Sequence, residues 1–269
     1  MTQSQLIKPK RIAGTDIQVS PIGFGTVKLG RDQGVKYPEQ FTIPDDRQAL
    51  NLLSLAHDLG VNLLDTAPAY GVSEHRLGHL FTKHKGLRDQ WVICSKVGEE
   101  FENGQSRFDF SPKHIRFSVE RSLQRLNTDV IEIMLVHSDG NDINIIEQSG
   151  CLEVLSDLKK EGKILASGMS TKTVEGGILA LKQSDIAMVT YNLNEQAEKP
   201  VLDYAQEQGK GILIKKALAS GHVCLNGRDP VYESMELVFS HPAVSAAIVG
   251  TINSKHMRQN IETCAAVLA

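Results

Sequence analysis

The chain has 269 residues, of which 41% are hydrophobic, and its 29 basic and 32 acidic side chains give a formal net charge of −3 at pH 7. This length suits one large barrel or two modest domains, and the mixed charge argues against nucleic acid or an anionic membrane surface as the main partner. No apolar run approaches the roughly 20 residues of a membrane helix, the N-terminal stretch is polar and the 4 cysteines form no CxxC pair, so we expect a cytoplasmic protein with reduced thiols.

The predicted elements alternate between short apolar strands and amphipathic helices along the whole chain. A small hairpin at residues 10–12 and 17–19 comes first. The strands that follow are predicted at residues 21–25, 61–65, 91–95, 130–136, 164–169, 186–190, 211–214 and 245–249. The helices are predicted at residues 46–59, 73–83, 112–126, 153–161, 173–183, 197–208, 231–240 and 254–267. These units predict an α/β fold, a (β/α)8 TIM barrel with an N-terminal β-hairpin, in one domain over residues 1–269, although a doubly wound sheet needs only slightly fewer units.

Some of the predicted loops that follow strands are long, whereas the connections that lead into strands are short. The long loops cover residues 26–44, 96–110, 137–148 and 215–229. In a (β/α)8 barrel the loops after the strands carry the chemistry. The sequence therefore predicts a functional site at the carboxyl ends of the strands.

Ionisable side chains stand at the ends of three consecutive predicted strands. Asp65 ends the second strand, Lys96 follows the third and His137 follows the fourth. Side chains alternate along a strand, so Lys96 shares a face with Cys94, which we expect in the core beneath it. If these faces point into the barrel, the ionisable groups meet at its mouth, with Tyr70 folding over them from its loop.

This combination of residue types suits the reduction of a carbonyl group by a nicotinamide cofactor. A tyrosine with an ordinary pKa of about 10 is a poor proton donor at neutral pH, and the ammonium of Lys96 is expected to lower that pKa. Asp65 would hold Lys96 charged and oriented. His137 can hydrogen-bond a carbonyl oxygen and position it. We therefore expect Tyr70 to act as the general acid.

Several segments resemble the motifs of the aldo-keto reductases, in that family's order and over nearly the whole chain. They are GFGT at residues 23–26, DTAPAYG at 65–71, SKV at 95–97, VH at 136–137 and SGMS at 167–170. The resemblance implies a barrel that reduces aldehydes or ketones to alcohols with NADPH, through a catalytic tetrad of Asp65, Tyr70, Lys96 and His137. A small carbonyl compound is the expected partner, and neither a metal, nucleic acid nor a membrane is expected.

The resemblance also implies which residues bind the cofactor. Thr26, Val27 and Asp65 would lie along the nicotinamide and its ribose, and Ser170 would hold the carboxamide. Residues 216–221 resemble the loop that clasps the pyrophosphate, and residues 248–260 resemble the adenosine-phosphate segment. The remaining expected contacts are Asn192, Lys215, Lys216, Leu218, Ser220, Gly250, Thr251, Asn253, His256, Gln259 and Asn260.

Three features depart from the usual pattern of that family. Met188 stands where many members carry a glutamine that supports the carboxamide, and methionine cannot make that bond. Lys215 and Lys216 replace an aromatic residue or a serine, and a lysine there can contact the pyrophosphate. The usual basic residue for the 2′-phosphate of NADPH is replaced by glycine, isoleucine or histidine, depending on the register, so Lys255 and Arg258 would substitute for it. NADPH is the expected cofactor, with NADH as the open alternative.

Two other functions stay open. A nicotinamide-nucleotide-sensing regulatory subunit, resembling the potassium-channel β subunits, would share the fold without needing Tyr70 for turnover. A barrel that has lost its cofactor would account for the changes at Met188, Lys215 and Ile252. The chain is expected to be a short member of the family without the C-terminal extension of longer relatives, and hence to have an open pocket and broad specificity.

The remaining candidate residues have structural interpretations. The phenylalanines of one loop are Phe101, Phe108 and Phe110. They line an apolar substrate pocket or pin the loop to the barrel, and the sequence favours neither. The cysteines without a functional pattern are Cys151, Cys224 and Cys264. His222 and His241 lack a second ligand at metal spacing, which predicts no metal site.

Overall fold

A computed structural model describes residues 6–35, 37, 40–221 and 229–269, so the predictions on His222 and Cys224 lie outside the described residues. The strands in chain order are β1 (Lys10–Arg11), β2 (Gln18–Val19), β3 (Ile22–Gly25), β4 (Leu63–Asp65), β5 (Val92–Val97), β6 (Glu99–Glu102), β7 (Gln105–Phe108), β8 (Ile131–His137), β9 (Ile164–Ser170), β10 (Ile186–Thr190), β11 (Gly211–Lys215) and β12 (Val244–Val249). The helices are α1 (Asp46–Asp58), α2 (Ser73–Lys83), α3 (Pro112–Leu126), α4 (Asp142–Ser149), α5 (Cys151–Lys160), α6 (Val174–Gln183), α7 (Lys199–Gln208), α8 (Pro230–Ser240) and α9 (Ser254–Leu268).

The parallel strands close into a barrel, which confirms the predicted (β/α)8 fold. Around the barrel the order is β3, β4, β5, β8, β9, β10, β11 and β12, and β12 pairs with β3. This last pairing excludes an open, doubly wound sheet. The antiparallel β1–β2 hairpin lies ahead of the barrel, as predicted. None of the described helices is long and apolar enough to cross a membrane.

Apolar side chains fill the barrel interior and also the layer between barrel and helices. We call the first group the interior cluster; its buried members are Ile12, Ile17, Val19, Leu63, Cys94, Ile133, Leu135, Ala166, Ile186, Met188, Leu213 and Ala246. The position of Cys94 below Lys96 is as strand alternation predicts. Ile12 comes from the hairpin segment, and a Cβ on Gly211, at the start of β11, would lie 2.3 Å from its Cγ2. The hairpin therefore packs into the end of the barrel where the strands begin.

Two segments predicted as loops contain regular structure. The sequence predicts a loop at residues 137–148, but these residues include most of α4, whose Ile145 and Ile146 are buried. Residues 96–110 include the β6–β7 hairpin, which turns at Asn103 and Gly104 with φ values of 51° and 79°. Asn-Gly at positive φ is the favoured two-residue hairpin turn. Both elements are short, and the sequence period is weak over so few residues.

Candidate active site

A buried polar cluster at the carboxyl end of the barrel joins side chains from β4, β5 and the turn after β4. The Lys96 Nζ donates to Asp65 Oδ1 at 2.5 Å, to the Tyr70 hydroxyl oxygen at 3.0 Å and to the Thr66 carbonyl oxygen at 3.0 Å. These contacts use all of the N–H donors of an ammonium group. The Tyr70 hydroxyl donates to Asp65 Oδ2 at 3.4 Å, which is long for such a bond. The tyrosine proton is therefore only weakly held.

Burial and charge determine the protonation of this cluster. Burial alone would lower the pKa of Lys96, but the charge of Asp65, with smaller contributions from other neighbours, raises it above the ordinary lysine value. Burial and then the charge of Asp65 raise the pKa of Tyr70 well above its ordinary value, although Lys96 acts in the opposite direction. The prediction of a lowered pKa for Tyr70 is therefore wrong. It considered the effect of the Lys96 ammonium and left out the larger effects of burial and of the Asp65 carboxylate. Lys96 is charged and Tyr70 is protonated near neutral pH.

The backbone around Tyr70 requires a glycine. Gly71 has a φ of 63°, and a Cβ at this position would lie 2.2 Å from the carbonyl oxygen of Gly30. Only glycine fits this left-handed position, because the backbone of Gly30 lies so close to it. Hydrogen bonds between hydroxyl groups also connect this turn to its neighbours. Ser73 Oγ donates to Thr26 Oγ1 at 2.8 Å, and Thr66 Oγ1 donates to Ser73 Oγ at 3.1 Å.

His137, at the end of β8, completes the group of four predicted catalytic side chains. Its ring centroid lies 6.4 Å from that of Tyr70, with the ring planes nearly perpendicular at 85°. Its Nδ1 lies 2.7 Å from Oε2 of Glu99 on β6. Burial lowers the pKa of His137, while Glu99 raises it and Lys96 lowers it further. Sequence reasoning missed Glu99, and its position shortly after Lys96 in a long loop was the only signal.

A cavity of about 630 Å³ opens above the cluster, and all four of these side chains lie on its walls. The volume falls within the range of about 300–1,000 Å³ that small-molecule sites occupy. The predicted cofactor residues on its walls, besides Asp65, are Val27, Ser170, Lys215, Lys216, Leu218, Ser220, Gly250, Thr251, His256, Gln259 and Asn260. The structure thus gathers loops after β3, β9, β11 and β12 around one space.

Three predicted cofactor residues lie outside the cavity walls and bond to the protein itself. The Thr26 hydroxyl donates to a carbonyl oxygen of β4 at 2.9 Å. The Asn192 side-chain amide donates to the carbonyl oxygen of Lys216 at 3.0 Å. The Asn253 side chain caps α9 by accepting from the amide of Lys255 at 2.9 Å. In this structure these side chains shape the walls.

Two wall residues of the first long loop escaped the sequence reasoning. Lys28 and Tyr37 both line the cavity, and the Lys28 Nζ lies 4.0 Å from the centroid of the Tyr37 ring. A cation over an aromatic face is a stabilising contact. Lys28 directly follows Val27, whereas no motif marks Tyr37 in the sequence.

Lys215 lies on the cavity wall and bonds to Ser170. Its Nζ donates to Ser170 Oγ at 3.0 Å and to the Thr171 carbonyl oxygen at 2.5 Å. Burial lowers the pKa of Lys215 to about 8, with Glu198 acting against it. Met188 also reaches the cavity, but it belongs to the apolar interior cluster. The polar group beside Ser170 is therefore the ammonium of a lysine.

The cavity wall formed by the loop after β11 carries an ammonium group and a hydroxyl group, those of Lys216 and Ser220. Lys216, Ala219 and Ser220 have left-handed φ values of 55°, 46° and 57°. Two backbone N–H groups of this turn bond within it, from Ala219 to the Lys216 carbonyl oxygen and from Gly221 to the Leu218 carbonyl oxygen, both at 2.8 Å. The first turn of α9 brings His256 to the same wall, and helix N-termini favour anions. The ammonium of Lys216 and the hydroxyl of Ser220 are groups that suit a phosphate ligand.

The phenylalanines of the β6–β7 region favour the structural interpretation. The Arg31 guanidinium carbon lies 3.4 Å from the centroid of the Phe101 ring. A Cβ on Gly98 would lie 2.6 Å from the Phe110 ring. None of the three phenylalanines is on the cavity wall, and Phe108 stacks on Phe110 at 6.0 Å. Phe101 thus contacts the loop after β3, and Phe110 packs against the core.

Among the described residues, no group of three or more histidine, cysteine, aspartate or glutamate side chains could hold a metal ion. His241 has a structural partner instead, since its Nε2 lies 3.0 Å from Asp203 Oδ1. Cys94, Cys151 and Cys264 are buried free thiols.

A closed parallel barrel with ionisable side chains at the carboxyl ends of its strands places the protein in the TIM-barrel class. The model of the Aldo/keto reductase family matches residues 21–236. A crystal structure assigned to this family, from Pseudomonas aeruginosa, is 57% identical, with a TM-score of 0.88 over 97% of this chain and 96% of that chain. The chain therefore belongs to the aldo-keto reductase family of oxidoreductases.

Curated relatives are more distant. The aldo-keto reductase YhdN of Bacillus subtilis is 34% identical over 215 residues, which are 78% of this chain and 62% of that protein. The NADH-specific methylglyoxal reductase of Escherichia coli is 30% identical over 222 residues, which are 77% of this chain and 66% of that protein. Each match spans about two thirds of the curated relative.

Proposed function

We propose that this protein reduces an aldehyde or a ketone to an alcohol with a nicotinamide dinucleotide as the reductant. The observation that carries the proposal is the buried cluster of Asp65, Lys96 and Tyr70 at the floor of the cavity, with His137 beside it. A charged lysine bonded to a protonated tyrosine is an arrangement for delivering a proton and stabilising the phenolate that remains.

Each side chain has a distinct part in this reaction. A reduced nicotinamide held by the cavity walls would supply a hydride to the carbonyl carbon. Tyr70 gives its proton to the carbonyl oxygen, and its bond to Asp65 is long enough to be exchanged for one to the substrate. Lys96 stabilises the phenolate through its 3.0 Å contact with the tyrosine oxygen. His137 positions the carbonyl oxygen, and water restores the proton of Tyr70 after the alcohol leaves.

The raised pKa of Tyr70 is compatible with this role. Protonated tyrosine is the form that donates, and the raised pKa keeps Tyr70 in that form throughout the neutral and mildly alkaline range. Hydride addition turns the carbonyl oxygen into an alkoxide, a much stronger base than a phenolate. Proton transfer to it is therefore downhill even from a buried tyrosine.

The walls of the cavity supply the proposed cofactor contacts. Ser170 and Lys215 would bind the nicotinamide carboxamide in place of the missing glutamine at Met188. The turn from Lys216 to Ser220 would bind the pyrophosphate. His256, Gln259 and Asn260 would meet the adenosine half, and Val27 the nicotinamide half.

The test compares Tyr70→Phe with Tyr204→Phe, the same change on α7 away from the cavity. Tyr70→Phe should lower kcat for aldehyde reduction by about 10²–10⁴-fold, because the proton donor is lost. Fluorescence titration should show that it still binds NADPH. The Tyr204→Phe variant should keep both properties.

Other outcomes would contradict the proposal in distinct ways. NADPH binding without turnover by the unaltered protein would favour a nucleotide-sensing subunit. Binding of neither NADPH nor NADH would favour a barrel without a cofactor.

The same titration measures the preference between the two cofactors, which we expect to favour NADPH through Lys255 and Arg258. Similar affinities for both would show that these side chains, which lie outside the described cavity walls, do not reach the 2′-phosphate.

A further inference from the structure

Glu99 faces the ring of His137 from the first residue of the β6–β7 hairpin. Its Oε2 lies 2.7 Å from Nδ1, off the line that a ring N–H takes in a well-directed hydrogen bond. Its Oε1 accepts from the Ser106 hydroxyl at 2.6 Å. Burial acts to raise the pKa of Glu99, but His137, Ser106 and Arg31 outweigh it and lower the pKa to about 2. Glu99 is therefore an anion near neutral pH.

The hairpin holds this carboxylate in place relative to the buried cluster. Gly98, directly before Glu99, has a φ of 97°, and the Phe110 ring occupies the space of its missing Cβ. Glu99 pairs with Phe108 across the hairpin, and β6 packs on the turn that carries Tyr70. The hairpin backbone thus places Glu99 beside the ring, and the bond from Ser106 holds its carboxylate there.

The contact determines where the histidine proton lies. A neutral imidazole has one N–H and one lone pair. Nδ1 is buried and is hydrogen-bonded by no other group among the described residues. Without a proton, Nδ1 would carry partial negative charge 2.7 Å from a carboxylate oxygen, and two such groups repel each other at this distance even when the oxygen lies off the lone-pair direction. The neutral ring of His137 therefore carries its proton on Nδ1, and its Nε2 is an acceptor.

We propose that Glu99 is a positioning residue of the active site, because it keeps a proton on Nδ1 of His137 and so makes donation from Nε2 to a carbonyl oxygen depend on the imidazolium form. A carbonyl oxygen offers only lone pairs, so it needs a donor at Nε2. The neutral ring instead accepts from an alcohol hydroxyl. This inference rests on the proposed reductase function, in which His137 meets the carbonyl oxygen.

Charged groups from several elements face His137. They set its pKa, and hence the pH at which the neutral ring becomes the imidazolium. Glu99 on β6 favours the imidazolium, whereas burial, Lys96 on β5 and Lys215 on β11 disfavour it. Tyr70 presents a neutral ring from its turn. The net effect lowers the pKa of His137 below 6.5. Reduction should therefore become faster as the pH falls toward that pKa.

The direct test reads the histidine tautomer from 15N ring shifts by NMR, in the unaltered protein and in Glu99→Gln. The His137 signal is assigned by its loss in His137→Gln. We expect the neutral ring of the unaltered protein to carry its proton on Nδ1. In Glu99→Gln the amide can donate to Nδ1, so the proton should move to Nε2. Glu102→Gln, an exposed change on the same strand, should keep the original tautomer.

Kinetics provide the second readout. In the unaltered protein and in Glu102→Gln, kcat/KM for carbonyl reduction should fall about tenfold per pH unit above the His137 pKa. In Glu99→Gln this fall should flatten, because the neutral ring can now donate to the carbonyl. If Glu99 had only a structural role, Glu99→Gln would change the stability of the protein and leave the shape of its pH profile unaltered.

A proton on Nε2 in the unaltered protein would overturn the inference, whether or not Glu99→Gln folds. The same tautomer in Glu99→Gln and Glu102→Gln would also overturn it. Absence of turnover with any carbonyl would contradict the proposed function instead, and the NMR result would still decide the role of Glu99.

Discussion

The two ends of the barrel interior are packed in opposite ways. Where the strands begin, the hairpin inserts Ile12 among aliphatic side chains, and Ile12 has no exposed surface. Where the strands end, Lys96 and Asp65 are 1% and 3% exposed, although both are charged groups. The same degree of burial therefore serves a purely apolar contact at one end and an ion pair at the other.

The difference shows what burial requires of each kind of side chain. An aliphatic group gains free energy from leaving water and needs only a complementary shape. A charge loses its hydration and must recover it from partners. Lys96 has an acceptor for each of its N–H donors, so its burial depends on a complete set of bonds. Removal of one partner should therefore lower the free energy of unfolding most where the strands end, around Lys96.

The largest effect is expected for Asp65→Asn. The change leaves the Lys96 ammonium buried without a counter-charge, which should lower the free energy of unfolding by about 3–5 kcal/mol. Turnover should be lost as well. Urea unfolding measures the first effect, and Asp157→Asn in an exposed pair with Lys160 is the control. Equal stability of the two variants would show that the mouth does not depend on this ion pair.

A smaller effect is expected at the apolar end. Ile12→Ala should lower the free energy of unfolding by about 3 kcal/mol, because it leaves a cavity in the interior cluster. Ile12→Val should cost about 1 kcal/mol. In both variants kcat per folded molecule should be unchanged, as the hairpin lies at the end away from Tyr70. A loss of kcat would show that the two ends are coupled.

A third effect concerns the pH dependence of stability. The pKa of Lys215 is lowered from 10.5 to about 8 in the folded protein. Between these values the unfolded chain binds more protons, so the free energy of unfolding should rise with pH over this window. Lys215→Met should remove that part of the rise in urea unfolding from pH 8 to 10.5. Lys160→Met, on the surface, should retain it.

The sequence predicted those parts of the site that follow from strand periodicity. Asp65, Lys96 and His137 end successive strands, and the carboxyl ends of parallel strands converge at one rim of a barrel. Their convergence at the cavity floor follows from a period of two and from the strand count. Tyr70 was found through its motif, because no periodicity extends into the turn that carries it.

The sequence by itself determined the (β/α)8 barrel, its hairpin and the residues at the strand ends, because apolar patterning is local and repeats with each unit. Only the tertiary structure decided the raised pKa of Tyr70, the bond from Lys215 to Ser170 and the contact of Glu99 with His137. These features depend on burial and on distances between side chains far apart in the chain or in a loop without periodicity. The sequence therefore indicated which polar side chains meet at the carboxyl end of the barrel, and the fold set their protonation states.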